Sequence, residues 1–193
     1  MDNSNSAPSS QRLFIGIKVE PDIVICNLID RLKNELSGSK IKWTDIENLH
    51  LTIRFLGNVE RNDFKQIEKT LSEISIGKKE FSFTIKSVGT FGKPMPKILW
   101  LGIEPNKYLT SIYDQITLGL AHLYPDWENK PFSPHLTIGR IKYMPQRQLL
   151  TSLVNNYKDY MFQDVKVNEI ILFESRLFKS GAIHQVIARQ ELN

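Results

Sequence analysis

Apolar and polar residues change rhythm along this chain, and the rhythm separates strands from helices: alternation at every second position marks a half-buried strand, and recurrence at every third and fourth marks a helix. Residues 12–19 are mostly apolar and read as a strand, which Glu20-Pro21-Asp22 ends while starting a helix to about Leu36. Ile25, Leu28, Ile29, Leu32 and Leu36 share one face of that helix. Ser37-Gly38-Ser39 closes it, 40–43 form a short strand, and Thr44-Asp45 begin a turn. A strand over 49–56 is expected to end at Gly57-Asn58, and 61–75 carry Phe64, Ile67, Leu71 and Ile74 at helical spacing. Residues 81–91 and 98–103 read as a hairpin around Gly92-Lys93-Pro94-Met95-Pro96, whose prolines cannot continue a ladder. A helix over 109–123 stops before Pro125, 127–131 are loop, and 132–141 form a strand. Pro145 is placed in the first turn of a helix reaching about Tyr157. The last strands are 162–173 and 182–189, joined through 174–178 and a turn at Lys179-Ser180-Gly181.

Strands and helices therefore interleave, with two stretches of similar order. The spacing is far longer than the roughly 20 to 50 residues of a solenoid repeat, so the expectation is an α+β protein of two similar half-domains around a cleft. The tetrapeptide His50-Leu51-Thr52-Ile53 returns 85 residues later as His135-Leu136-Thr137-Ile138, each copy within a predicted strand. In a strand His and Thr share one face while Leu and Ile turn to the other, so each copy sets an imidazole beside a hydroxyl above apolar packing. A lone His-x-Thr is usually structural, but two identical copies in matching context point to a shared site. Arg54 follows Thr52 by two positions and Arg140 follows Thr137 by three. On a regular strand Arg140 faces away and needs a twist to reach a ligand. His122 and His184 lack the motif context.

Composition narrows the setting. With 193 residues and 41% hydrophobic content the chain can bury a sizeable core, and its net charge of +4 suits a polyanionic ligand without demanding one. The single cysteine, Cys26, leaves no disulfide framework and no cysteine-based metal site. No apolar run approaches the roughly 18 residues needed to span a bilayer. Residues 1–11 are Asn-, Ser- and Pro-containing without a hydrophobic core, so they are expected to be a disordered tail rather than a signal peptide, with 12–193 a single bilobal domain. A cytoplasmic monomer without membrane association is expected.

Several stretches together resemble one family. Residues 12–17, 47–57 and 132–140, with Phe91-Gly92, Trp100-Leu101-Gly102 and 173–177, are similar to the two-histidine phosphoesterases and, among them, to the LigT-type RNA 2′,3′-cyclic phosphodiesterases, also called 2′-5′ RNA ligases. The resemblance implies a bilobal α+β fold whose antiparallel-rich, pseudo-symmetric halves line a central cleft. It implies no required metal or cofactor, and opening of 2′,3′-cyclic phosphate ends of RNA or small cyclic nucleotides to 2′-phosphomonoesters, with reverse 2′-5′ ligation as a possible second activity. By the same resemblance His50 and His135 are catalytic, His50 as the acid protonating the 3′ oxygen and His135 as the base activating water. The chemistry needs such a pair, one group to take a proton and one to give it, and histidine holds either state near neutral pH. Thr52, Thr137 and Arg140 are the substrate-binding candidates, the hydroxyls as donors to non-bridging oxygens.

Competing readings remain open here. Paired histidines bind zinc, but no carboxylate or cysteine accompanies them at ligand spacing. A phosphodiesterase of 2′-5′ oligoadenylate or of another small cyclic phosphate, or a binding module without turnover, would use the same cleft. Phe14, Trp43, Phe55, Phe91, Trp127 and Phe132 are candidates to stack an RNA base, with Trp127 and Phe132 expected to be the more exposed. Lys93, Lys97 and Lys130 are candidate phosphate contacts, and Phe14 and Arg176 are minor site candidates.

Overall fold

The computed structural model describes residues 10–124, 127, 131–178 and 181–192. In chain order the elements are β1 (Ser10–Lys18), α1 (Ile23–Glu35), β2 (Lys40–Trp43), β3 (His50–Glu60), α2 (Phe64–Ser75), β4 (Phe81–Phe91), β5 (Ile98–Ile103), α3 (Lys107–Gly119), β6 (His135–Tyr143), α4 (Arg147–Asn156), β7 (Met161–Val167), β8 (Glu169–Leu177) and β9 (Ala182–Glu191). Short 3-10 turns at Ile46–Asn48 and Arg61–Asp63 precede β3 and α2. The strands make one sheet in the order β7-β4-β5-β6-β3-β1-β8-β9, with β2 pairing β6 at the side. Among the described residues no helix is long and apolar enough to cross a membrane.

The two motif strands meet at the centre of this sheet through one antiparallel pair, Leu51 with Leu136. On the first motif's side lie β1, β8 and β9, and on the second motif's side lie β5, β4 and β7. The halves exchange strands. β4, which follows the first motif, sits beside β5 in the second half, and β8, which follows the second motif, sits beside β1 in the first. The strand expected over 162–173 is therefore two: β7 pairs β4, the chain crosses at Asn168, and β8 pairs β1 and β9. Burial changes character at the break, from alternation in β7 (Phe162, Val165, Val167) to a continuous buried run over 170–175 in β8. An edge strand has one covered face and a central strand has two.

The helices are built as their periodicity predicts. Asp22 caps α1 by accepting from the Val24 and Ile25 amides at 2.9 and 3.0 Å, a contribution of about 1 kcal/mol. Asn106 does the same for Tyr108 and Leu109, which is why α3 begins at Lys107, ahead of the expected 109. It stops at Gly119 rather than 123. Pro145 precedes the Gln146 cap of α4 instead of lying in its first turn. Ile67 and Leu71 on α2, Leu109, Ile112 and Ile116 on α3, and Ile25, Ile29 and Leu32 on α1 join one continuous core with Leu13, Ile15 and Ile17 of β1, each side chain worth about 2 kcal/mol of burial. Phe14 points to the other face, where Ile171, Phe173 and Val186 gather around it.

Strand boundaries also differ from the sequence reading. β1 begins at Ser10, so Ser10 and Gln11 pair with Glu60 and Val59 instead of belonging to a tail; the rest of the expected tail lies outside the described residues, as do Pro125, Lys130, Lys179 and Ser180. β3 does not end at Gly57-Asn58 but runs to Glu60, because Gly57 takes φ +79° at a register shift and lets the strand continue. The hairpin of β4 and β5 has its expected bounds.

Candidate active site

Each motif histidine is the first residue of its strand, so the carbonyl two positions earlier lies off the ladder and is free to accept. His50 Nδ1 donates to the Asn48 carbonyl at 2.7 Å and His135 Nδ1 to the Ser133 carbonyl at 2.8 Å. A carbonyl only accepts, so each neutral ring carries its proton on Nδ1 and keeps a lone pair on Nε2. An aromatic ring steadies each imidazole: Phe14 lies 4.7 Å from His50 and Phe91 lies 4.8 Å edge-on to His135.

The Leu51–Leu136 pair sets the site's geometry. One residue to either side of it, His50 stands opposite Thr137 and Thr52 opposite His135. Each imidazole is thus beside the other motif's hydroxyl, and the two histidines are diagonal neighbours, a relation that puts Cβ atoms somewhat under about 7–8 Å apart. Leu51, Ile53, Leu136 and Ile138 are buried on the reverse face, while both histidines and both threonines are half-buried.

Arg140 arrives through a bulge. Across β5 and β6, Trp100 pairs Thr137 but Leu99 pairs Gly139, leaving Ile138 as the extra residue. A bulge reverses the alternation beyond it, so Arg140 returns to the face of Thr137, the twist that the sequence spacing required. Its charge, with that of His135, lowers the pKa of His50, whose burial is the largest cause of the shift and outweighs the raising effect of the Asn48 hydrogen bond. The first motif has the same bulge at Ile53, between Thr52 opposite Gly16 and Arg54 opposite Ile15. There the arginine is one position earlier and goes to the helix side. Arg54 bonds the Tyr113 hydroxyl on α3 and lies 4.0 Å over the Trp127 ring.

His184, set aside in the sequence for want of motif context, is beside His50. Their ring centroids are 4.7 Å apart and nearly perpendicular, and His184 also meets Phe14 edge-on at 5.0 Å. Burial, then the charges of His50 and Arg140, push its pKa down to about 4. The available signal was the alternation Ala182, His184, Val186 in the last strand, which sets an imidazole on one face with two small apolar residues.

Other candidates fall elsewhere. Trp127 stacks on Tyr124 at 4.3 Å and Phe132 on Tyr113 at 4.6 Å, and both pack partly buried against the core, whereas Phe55 is 44% exposed beneath Arg12. Arg176 is ion-paired with the buried Glu174 at 2.9 Å and alternates away from Ser175, the partner of His184. Lys93 and Lys97 are exposed in the turn between β4 and β5. A cavity of about 130 Å³ adjoins His50, lined by His184, Lys18, Asn48 and Arg189 among others. A larger groove of about 820 Å³ runs along the start of α3 to Pro134, but neither motif histidine lines it, and converging polar groups rather than volume mark the site. Among the described residues no three His, Cys, Asp or Glu side chains are grouped as metal ligands.

Comparison with known proteins agrees with this geometry. The family described as LigT like Phosphoesterase matches twice, over residues 17–100 and 101–184, one copy per motif. An RNA 2′,3′-cyclic phosphodiesterase of Thermotoga maritima is 33% identical over 179 residues, covering 91% of this chain and 92% of its own. One of Methanocaldococcus jannaschii is 30% identical over 177 residues, covering 91% and 98%. Among solved structures, Escherichia coli LigT complexed with 3′-AMP superposes with a TM-score of 0.75 at 21% identity, covering 95% of this chain and 99% of its own, which shows the shared fold. With paired motifs at the centre of a strand-exchanged sheet and a match spanning both halves, this chain belongs to the LigT-like phosphoesterase family.

Proposed function

We propose that the protein is an RNA 2′,3′-cyclic phosphodiesterase that opens the cyclic phosphate to a 2′-phosphomonoester, with His50 and His135 as catalytic acid and base and with Thr52, Thr137 and Arg140 binding the phosphate. The observation that carries this is the diagonal pair of imidazoles, each anchored through Nδ1 and each beside the other motif's threonine. Relatives at 30–33% identity carry that activity in their names.

The reaction needs water to attack phosphorus while the bond to the 3′ oxygen breaks. One Nε2 lone pair takes the water proton, and the other ring, entering protonated, delivers a proton to the 3′ oxygen. The threonine hydroxyls donate to the non-bridging oxygens, and Arg140 offsets their growing charge. By the resemblance of its motif, His50 is read as the acid. In the free protein its burial and its cationic neighbours favour the neutral ring, so the anionic substrate itself supplies the counter-charge that protonates it. The same steps with a 5′ hydroxyl in place of water, its proton taken by the base while the 3′ oxygen leaves protonated, give 2′-5′ joining. No step calls on a metal, and the protein is read as a cytoplasmic monomer.

Turnover of 2′,3′-cyclic AMP in excess EDTA tests the proposal. Release of adenosine 2′-monophosphate at an unchanged rate is expected. Loss of turnover in chelator with recovery on adding zinc or magnesium would refute the two-histidine mechanism, and no turnover under any condition would leave a binding module.

A further inference from the structure

β9 closes one edge of the sheet, and its register sets His184 opposite Ser175, next to the apolar floor of Phe14, Phe173 and Val186. The His184 ring touches both Phe14 and His50. Its Nδ1 is buried with no hydrogen-bond partner. A phenyl ring would fill the same space without enclosing a bare polar atom, so packing alone does not explain an imidazole here. The ring also lines the cavity that adjoins His50. An enclosed N–H without an acceptor is rarer in proteins than an enclosed lone pair, which assigns the proton to Nε2.

We propose that His184 is a third histidine of the substrate site, donating a hydrogen bond from Nε2 to an oxygen of the phosphate held between His50 and His135. This rests on the phosphodiesterase reading above. His50 and His184 meet ring to ring and line one cavity, and the positive charge of Arg140 acts on both. A ring held neutral adds a donor there without adding a further cation to a site that already has Arg140 and two histidines. Among the described residues the ring that meets His135 is Phe91, which in turn meets Trp100, and not an imidazole, so this donor serves one side of the phosphate only.

The test compares His184→Phe and His184→Gln with the unaltered protein. With His184→Phe we expect a higher melting temperature, a loss of about tenfold or more in kcat/KM on 2′,3′-cyclic AMP, and a matching rise in Kd for adenosine 2′-monophosphate. Glutamine, whose amide N–H can replace the imidazole donor, should restore part of both losses. In the unaltered protein labelled with nitrogen-15 at histidine, the His184 resonances, identified by their absence from His184→Phe, should move when adenosine 2′-monophosphate is added while those of His122 stay. Wild-type kinetics and affinity in His184→Phe, or a lower melting temperature with unchanged kinetics, would overturn the proposal. So would His184 resonances unmoved at saturating product. If the unaltered protein fails to turn over the cyclic substrate, the phosphodiesterase reading falls, and the resonance and affinity measurements still decide whether His184 binds the phosphate.

Discussion

The two motifs share four letters, the same Nδ1 anchor and the same bulge at their isoleucine, and they differ only in what surrounds them. His50 is enclosed by Phe14, Phe173 and His184, whereas His135 has Phe91 on one side. Past the bulges the arginines part: Arg54, one residue beyond Ile53, is taken into the packing of α3, and Arg140, two residues beyond Ile138, returns to the face of Thr137, where its charge acts on His50. Identical local sequence thus gives both histidines the same anchored geometry, and the neighbours of the first push the pKa of His50 down. An acid and a base can be made from one tetrapeptide because the distinction is environmental.

The sharpest way to break the comparison is to remove each histidine. His50→Ala and His135→Ala should each lower kcat/KM on 2′,3′-cyclic AMP by about 10² to 10⁴. On a nitrophenyl phosphodiester, whose leaving group needs no protonation, His50→Ala should recover much of its rate and His135→Ala should not. Recovery of His135→Ala alone would reverse the roles, and recovery of neither would mean that the rings hold the phosphate without trading protons.

The arginines divide next. Arg140→Ala should cost about tenfold to a hundredfold in kcat/KM with the melting temperature nearly unchanged, since a bond to a charged group is worth about 1.5–3 kcal/mol. Arg54→Ala should do the opposite, losing about 1 kcal/mol of stability from its aromatic contacts and leaving kinetics alone. Equal kinetic effects would show that the bulge does not sort them.

Thr52→Val and Thr137→Val should each lower kcat by about fivefold to tenfold, and by similar factors, because each hydroxyl faces the opposite histidine. A large inequality in single-turnover rates would reveal an asymmetry that reaches beyond the imidazoles.

The smallest effect is on stability against pH. Burial, with the charges of His50 and Arg140, holds the pKa of His184 at about 4 in the folded protein, below the roughly 6.5 of a free imidazole. Between those values the unfolded chain takes up a proton that the folded chain refuses, so stability falls as pH drops from about 6.5 to about 4 and levels off below. His50 is shifted the same way and adds to the slope. Solvent screening of the half-buried ring keeps the change modest. Urea midpoints measured across this range should show the decline, and His184→Phe should flatten it.

Much of this was legible in the chain. Hydrophobic period placed the strands and helices, and the repeated tetrapeptide located the centre of the sheet. What escaped was decided at a distance. Nothing local separates residues 162–167 from 169–173 into different halves; their partners β4 and β1 do that, and only the change from alternating to continuous apolar residues betrays it. The faces of Arg54 and Arg140 depend on bulges that pairing with β1 and β5 creates. His184 belongs to the site because β9 closes against β8, more than a hundred residues after His50. Trp127 and Phe132, expected to be open, found Tyr124 and Tyr113 to stack on.

The crossing at Asn168 bears on how the protein is made. A ribosome releases β1, with Phe14, and β3, with His50, about a hundred residues before β8, the sheet neighbour of β1. Until it emerges, β1 has an open edge and Phe14 lacks Phe173. A nascent chain lacking its final strands therefore holds both motifs in incomplete surroundings, and contacts of such long sequence separation form slowly. Truncation from the C-terminus should consequently abolish cooperative folding of the N-terminal motif, and the gene cannot be shortened to one of its two similar halves without dismantling the other.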